Sequence, residues 1–127
     1  MKRLVATLSL AAVVLILAGC AASAAEPSSP APVVGPAVAI SAKDLKFSTS
    51  ELVAPANSAF SIVFDNQEGA PHNVAIYKDS SASQKVFAAD PVSGPTRVTW
   101  QVSGLAAGTY FFRCDVHTDM KGTLTVK

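Results

Sequence analysis

The chain has 127 residues, two of them cysteine, and a formal net charge of +1. That length suits one ordinary domain of about 100–150 residues and excludes a Rossmann enzyme with a substrate domain or a large barrel. Half the residues are hydrophobic, which excludes disorder throughout; only 15% are charged, with no basic surplus for nucleic acid; and the cysteines are too few for a disulfide scaffold.

Lys2 and Arg3 open the chain, and a nearly apolar run follows from Leu4 to Leu17. This run is shorter than the ~20 residues a membrane-spanning helix needs, and small residues close it. The pattern predicts an export signal over residues 1–19. Leu17-Ala18-Gly19-Cys20 resembles the lipobox of bacterial lipoproteins. The resemblance implies cleavage before Cys20, lipid on its sulfur, and an extracytoplasmic protein held to a bacterial membrane by that lipid. Without Lys2 and Arg3 the chain keeps eight basic residues against nine acidic ones, a net charge of −1. A lipidated Cys20 leaves Cys114 with no intrachain disulfide partner, which is unusual in an oxidising compartment.

Residues 20–36 hold Cys20 and an Ala/Ser/Pro-rich stretch that cannot bury a core and reads as a tether. It would reach roughly 20–25 Å as a coil and about 50 Å if polyproline-like. From residue 37 to 127 the pattern becomes that of a folded domain. Val38 and Ile40 alternate with smaller residues, as do Phe60, Ile62 and Phe64. His72, Val74 and Ile76 share one face. Val98, Trp100 and Val102, then Tyr110, Phe112 and Cys114, then Leu124 and Val126 repeat the alternation. A period of two repeated this often predicts strands. Turn-forming clusters separate them at Pro55-Ala56-Asn57, Glu68-Gly69-Ala70-Pro71, Ser93-Gly94-Pro95 and Ser103 to Gly108. The stretch from Asp79 to Asp90 fits either a short helical turn or an irregular strand. Seven to eight short strands predict an all-β Greek-key sandwich or barrel. Phe60, Phe64, Trp100 and Phe112 are predicted core.

The soft and imidazole ligands of this domain are His72, Cys114, His117 and Met120. Three of them fall in Cys114-Asp115-Val116-His117-Thr118-Asp119-Met120. Two imidazoles and a thiolate in a plane, with a long axial thioether, form a blue-copper electron-transfer site. Thiolate and thioether suit Cu(I), and imidazole suits both oxidation states. Cys114 shares a face with Tyr110 and Phe112, so it is predicted to point inward. A tight loop between two strands would turn Cys114, His117 and Met120 toward one ion.

With Pro71-His72-Asn73-Val74-Ala75-Ile76-Tyr77, and with the segment from Gly108 to Val126, the chain resembles the cupredoxins, the small blue copper proteins. The resemblance covers residues 37–127, and the short Cys-x-x-His-x-x-Met loop is similar to that of the amicyanins. It favours a cupredoxin-like sandwich over an immunoglobulin-like one, a choice the strand pattern leaves open. It implies His72, Cys114, His117 and Met120 as ligands of one type 1 copper ion cycling between Cu(I) and Cu(II). It implies Asn73 as the hydrogen-bonding brace of the ligand loop. Asp115 departs from the Ser or Thr common after the cysteine, and its carboxylate is expected to disturb that brace or lower the potential.

The function expected is outer-sphere electron transfer through the His117 edge, in an apolar surround of Ala70, Pro71 and Val116. The partner would be a redox protein such as a cytochrome or membrane oxidase, met by a monomer, with Asp115 and Asp119 favouring a basic surface. Copper capture, storage or delivery is the alternative, although no Met-rich or His-rich tract supports storage. A metal-free sandwich used for adhesion is a further one. An enzyme is not expected: a binuclear centre needs a second cysteine in the loop, a nitrite reductase needs more histidines and another domain, and no Ser-His-Asp set is free.

Overall fold

A computed structural model describes residues 35–127. The signal segment, Cys20 and nearly all of the tether lie outside the described residues. Nine strands follow in chain order: β1 Ala37–Lys43, β2 Lys46–Phe47, β3 Glu51–Ala54, β4 Phe60–Asn66, β5 Ala75–Tyr77, β6 Lys85–Ala88, β7 Thr96–Val102, β8 Gly108–Arg113 and β9 Lys121–Val126. They form two sheets, ordered β2-β1-β4-β7 and β3-β9-β8-β5-β6. Strand β1 runs parallel to β4, and β3 parallel to β9; the other pairs are antiparallel. Among the described residues no helix is long and apolar enough to cross a membrane.

Alternation decides which side chains meet between the sheets. Val38, Ile40 and Ala42 of β1 lie beside Ile62 and Phe64 of β4, and all are buried. From the other sheet, Leu52 and Ala54, Phe112 and Tyr110, and Leu124 and Val126 complete the same core. Phe60, Phe64 and Phe112 are fully buried. Trp100 is only partly buried, because β7 is an edge strand, yet it stacks on Phe64 with ring centroids 5.0 Å apart.

The sandwich agrees with the sequence-based expectation, but the described residues hold nine strands rather than seven or eight. Strand β2 is only two residues long, too short to display a period. The ambiguous stretch resolves into a turn and a strand. Asp79 Oδ1 accepts the Ser81 amide at 2.8 Å, and Ala82 N–H donates to the Asp79 carbonyl at 3.1 Å. Strand β6 then pairs with β5 across an irregularity at Ile76/Tyr77.

The strand expected to start at His72 is shorter, beginning at Ala75. His72 joins the sheet through an isolated bridge, exchanging two main-chain bonds with Val92 at 2.9 and 3.1 Å. Burial is also two-sided here: Asn73, Ala75 and Tyr77 are as buried as His72, Val74 and Ile76. The outer face is covered because Lys85 and Arg113 lie over the Tyr77 ring, 5.5 and 4.9 Å from its centroid.

Candidate metal centre

Three side chains converge at one end of the sandwich. Strand β8 ends at Arg113, so Cys114 is the first residue of the β8–β9 loop, and it keeps the inward direction of Tyr110 and Phe112. Cys114 N–H donates to the Met120 carbonyl at 2.8 Å, and Met120 N–H to the His117 carbonyl at 2.9 Å. These two bonds close the loop on itself and set His117 beside Cys114. The His72–Val92 bridge delivers His72 from the facing segment. The result is a triangle of donor atoms: Cys114 Sγ lies 3.8 Å from His72 Nδ1 and 4.0 Å from His117 Nδ1, and the two nitrogens are 3.2 Å apart.

That triangle fits a metal ion. Taking about 2.3 Å to thiolate and about 2.0 Å to imidazole, as zinc shows, a trigonal plane has N–S edges of about 3.7 Å and an N–N edge of about 3.5 Å. The separations observed are within a few tenths of an ångström of these. His72 and Cys114 are fully buried, and His117 is partly exposed. Met120, 3% exposed, is packed into the core cluster at the closing end of the loop. Cys114 forms no disulfide among the described residues.

Two further residues hold the triangle. Asn73 is almost fully buried; its Oδ1 accepts the Asp115 amide at 2.8 Å and its Nδ2 donates to the Ala89 carbonyl at 2.8 Å. The expectation that Asp115 would disturb this brace is corrected: the bond comes from the Asp115 main chain, and the carboxylate points elsewhere. Glu68 carries a role that sequence reasoning missed. Its Oε1 lies 2.7 Å from His72 Nε2. A carboxylate only accepts, so the ring nitrogen donates, and in the neutral imidazole that a metal ion binds this leaves Nδ1 as the lone-pair nitrogen facing Cys114. The same carboxylate accepts the Asp44 and Leu45 amides at 3.0 Å each. Those two residues adopt left-handed backbone with φ of 52° and 56°, so Glu68 stabilises a turn costly for non-glycine residues. The Leu45 amide, with help from His72 and the Asp44 amide, keeps the Glu68 carboxyl below its usual range. The one sequence signal was a glutamate four residues before the histidine, in a segment that reads simply as a turn.

The Asp115 carboxylate sits among three donors. Tyr77 hydroxyl bonds Oδ1, Arg113 Nε donates to Oδ1 at 3.0 Å, and Lys85 Nζ donates to Oδ2 at 2.7 Å. Burial pushes this carboxyl up, but the bonds from Lys85, Tyr77 and Arg113 outweigh it and bring it down to about 2. Lys85 and Arg113 are raised in return, chiefly by their bonds to Asp115.

Compared with known proteins, residues 8–126 match the cupredoxin-like domain. The chain belongs to the cupredoxin-like family. No curated protein matches this cupredoxin in sequence. Among solved structures it is similar to the auracyanin of the photosynthetic bacterium Roseiflexus castenholzii, at 20% identity and a TM-score of 0.65, covering 73% of this chain and 98% of that one. Auracyanin A of Chloroflexus aurantiacus, a blue copper protein, is 24% identical with a TM-score of 0.65, covering 73% and 100%. Amicyanin of Paracoccus versutus is 24% identical with a TM-score of 0.54, covering 72% and 81%. These identities speak for the fold. The thiolate, two imidazoles and neighbouring thioether of this cupredoxin are consistent with a single type 1 copper site.

Proposed function

We propose that this cupredoxin is a blue copper protein that carries single electrons between redox partners; His72, Cys114, His117 and Met120 would hold the ion. The observation that carries the reading is the preassembled triangle of His72 Nδ1, His117 Nδ1 and Cys114 Sγ. Bound copper would supply a one-electron couple between Cu(I) and Cu(II). The protein residues do the rest. Glu68 fixes the His72 tautomer. Asn73 and the closed loop hold Cys114 and His117, so little need move when the charge changes. Burial of His72 and Cys114 leaves the partly exposed His117 edge as the approach for another molecule, so an electron carrier is favoured over an enzyme.

Val116 is one of the large apolar side chains exposed to solvent and adjoins His117 in the chain, and Pro71, also exposed, adjoins His72. A small apolar face of this kind suits a brief contact with a redox protein such as a cytochrome or membrane oxidase. The Asp115 charge is met by Lys85 and Arg113, so Asp119 is the loop carboxylate left to favour a basic partner. The Leu17-to-Cys20 motif supports attachment of a monomer to the outer side of a bacterial membrane through lipid on Cys20.

The test is the visible spectrum of the full chain titrated with Cu(II), beside Cys114→Ser. The expected result is an intense thiolate-to-copper band that reductant bleaches and that the variant lacks. A colourless chain that retains Cu(I) would point to copper handling, and failure to bind either ion would refute the metal reading.

A further inference from the structure

The residue after the thiolate is bonded more heavily than any brace of the loop requires. Its amide is taken by Asn73, and its carboxylate is taken by side chains from three strands: Tyr77 of β5, Lys85 of β6 and Arg113 of β8. The donors also hold one another. Arg113 Nη2 reaches the Tyr77 hydroxyl at 3.4 Å, and both cations lie over the Tyr77 ring. We propose that Asp115 is a positioning residue of the copper loop: its carboxylate clamps the peptide that follows Cys114 to β5, β6 and β8, while Lys85 and Arg113 more than balance its charge beside the thiolate. This inference rests on the copper reading above.

Charge shifts the potential with a definite sign, which packing alone does not. An unbalanced carboxylate next to the thiolate would favour Cu(II) over Cu(I) and lower the potential. Asp115, Lys85 and Arg113 together carry one net positive charge. Lys85→Met removes it, and Asp115→Asn adds another at nearly constant shape. The two substitutions therefore shift the potential in opposite directions, and the double variant restores the original sum. Lys85 is about half exposed, its side chain at 48%, so solvent weakens the effect.

Two measurements on the full chain test the proposal. The first uses the metal-free protein and follows amide hydrogen exchange of residues 114–117. Asp115→Ala should speed exchange there about tenfold, as loss of charge-assisted hydrogen bonds implies. Lys85→Met, which removes a partner from an exposed position, should speed it less. The second measures the copper couple against a fixed mediator. Lys85→Met should reduce the equilibrium constant for reduction, and Asp115→Asn should increase it, by about three- to tenfold at low salt, with the effect shrinking as salt rises. Unchanged exchange in both variants overturns the clamp, and if Asp115→Ala does not fold, Lys85→Met decides. Shifts of the same sign, or none, in a wild type that shows the blue band overturn the charge balance alone. A wild type without that band overturns the copper reading and the charge balance with it, and the metal-free exchange still decides the clamp.

Discussion

Replacing Asn73 with alanine should be among the most damaging single changes near the site. Asn73 is 3% exposed and joins two segments, taking the Asp115 amide and giving to the Ala89 carbonyl, each at 2.8 Å. Truncation leaves one main-chain donor and one acceptor without these partners. An unsatisfied buried polar group costs about 1–3 kcal/mol. Asp115 and Ala89 are both only partly buried, so water recovers some of the loss. The sum is about 2–4 kcal/mol, a large share of the 5–15 kcal/mol by which domains are typically stable. Urea unfolding of the metal-free chain measures it: the midpoint should fall with the slope unchanged, since the exposed surface of the unfolded chain is the same. In the copper-loaded protein the thiolate band should broaden or shift as Cys114 loses its neighbour's anchor. A stability loss below about 0.5 kcal/mol would refute the argument that these two bonds hold the loop to the sheet.

Other substitutions and conditions test neighbouring parts. Gly122 pairs with Phe112 across β8 and β9, and a Cβ there would run into the Ser50 carbonyl and the Phe112 ring; Gly122→Ala should therefore destabilise by about 1–3 kcal/mol in thermal unfolding. Glu68→Ala should free the His72 tautomer and weaken copper binding about 10–100-fold in a competition titration, with the thiolate band still present. The Asp115 carboxyl lies at about 2 in the folded chain against an ordinary 3.8. A depressed carboxyl stabilises above its unfolded value, so about 2 kcal/mol should be lost as pH falls from about 4 to about 2. That acid-side loss should be absent from Asp115→Asn. Removing copper should lower the unfolding midpoint, by the equivalent of about 3 kcal/mol when the free ion had stood roughly a hundredfold above its Kd.

What could be read from the sequence depended on how local each cause was. Alternation of Phe60, Ile62 and Phe64, or of Tyr110 and Phe112, reports a buried face directly, and those strands are where the pattern puts them. Cys114, His117 and Met120 were legible because one short loop carries them. Two-residue β2 and irregular β6 have no period to show. The two-sided burial around Tyr77 depends on Lys85 and Arg113, which come from other strands. The Asp115 clamp spans 30 residues to Lys85 and 38 to Tyr77, and Glu68 reaches back 23 to Leu45. No local pattern announces such pairs. The Asp115 carboxylate stands as an anomaly in the sequence; its partners are what tell its direction.

The parallel pairing of β3 with β9 sets the order in which this molecule can assemble. Leu52 sits opposite Leu124, so the partners in that ladder come from distant parts of the chain. Strand β9 also pairs with β8, and the Cys114-to-Met120 loop is the connection between them. The loop closes with the β8–β9 pairing, but the sheet that carries it is complete only when β9 has also docked against β3. Closing so long a segment is entropically slow, which places this domain with the slower-folding β topologies. Metal capture should accordingly be a late event in refolding, lagging the growth of β structure. A chain lacking β9 should fail to hold the ion even though all four donor residues are present.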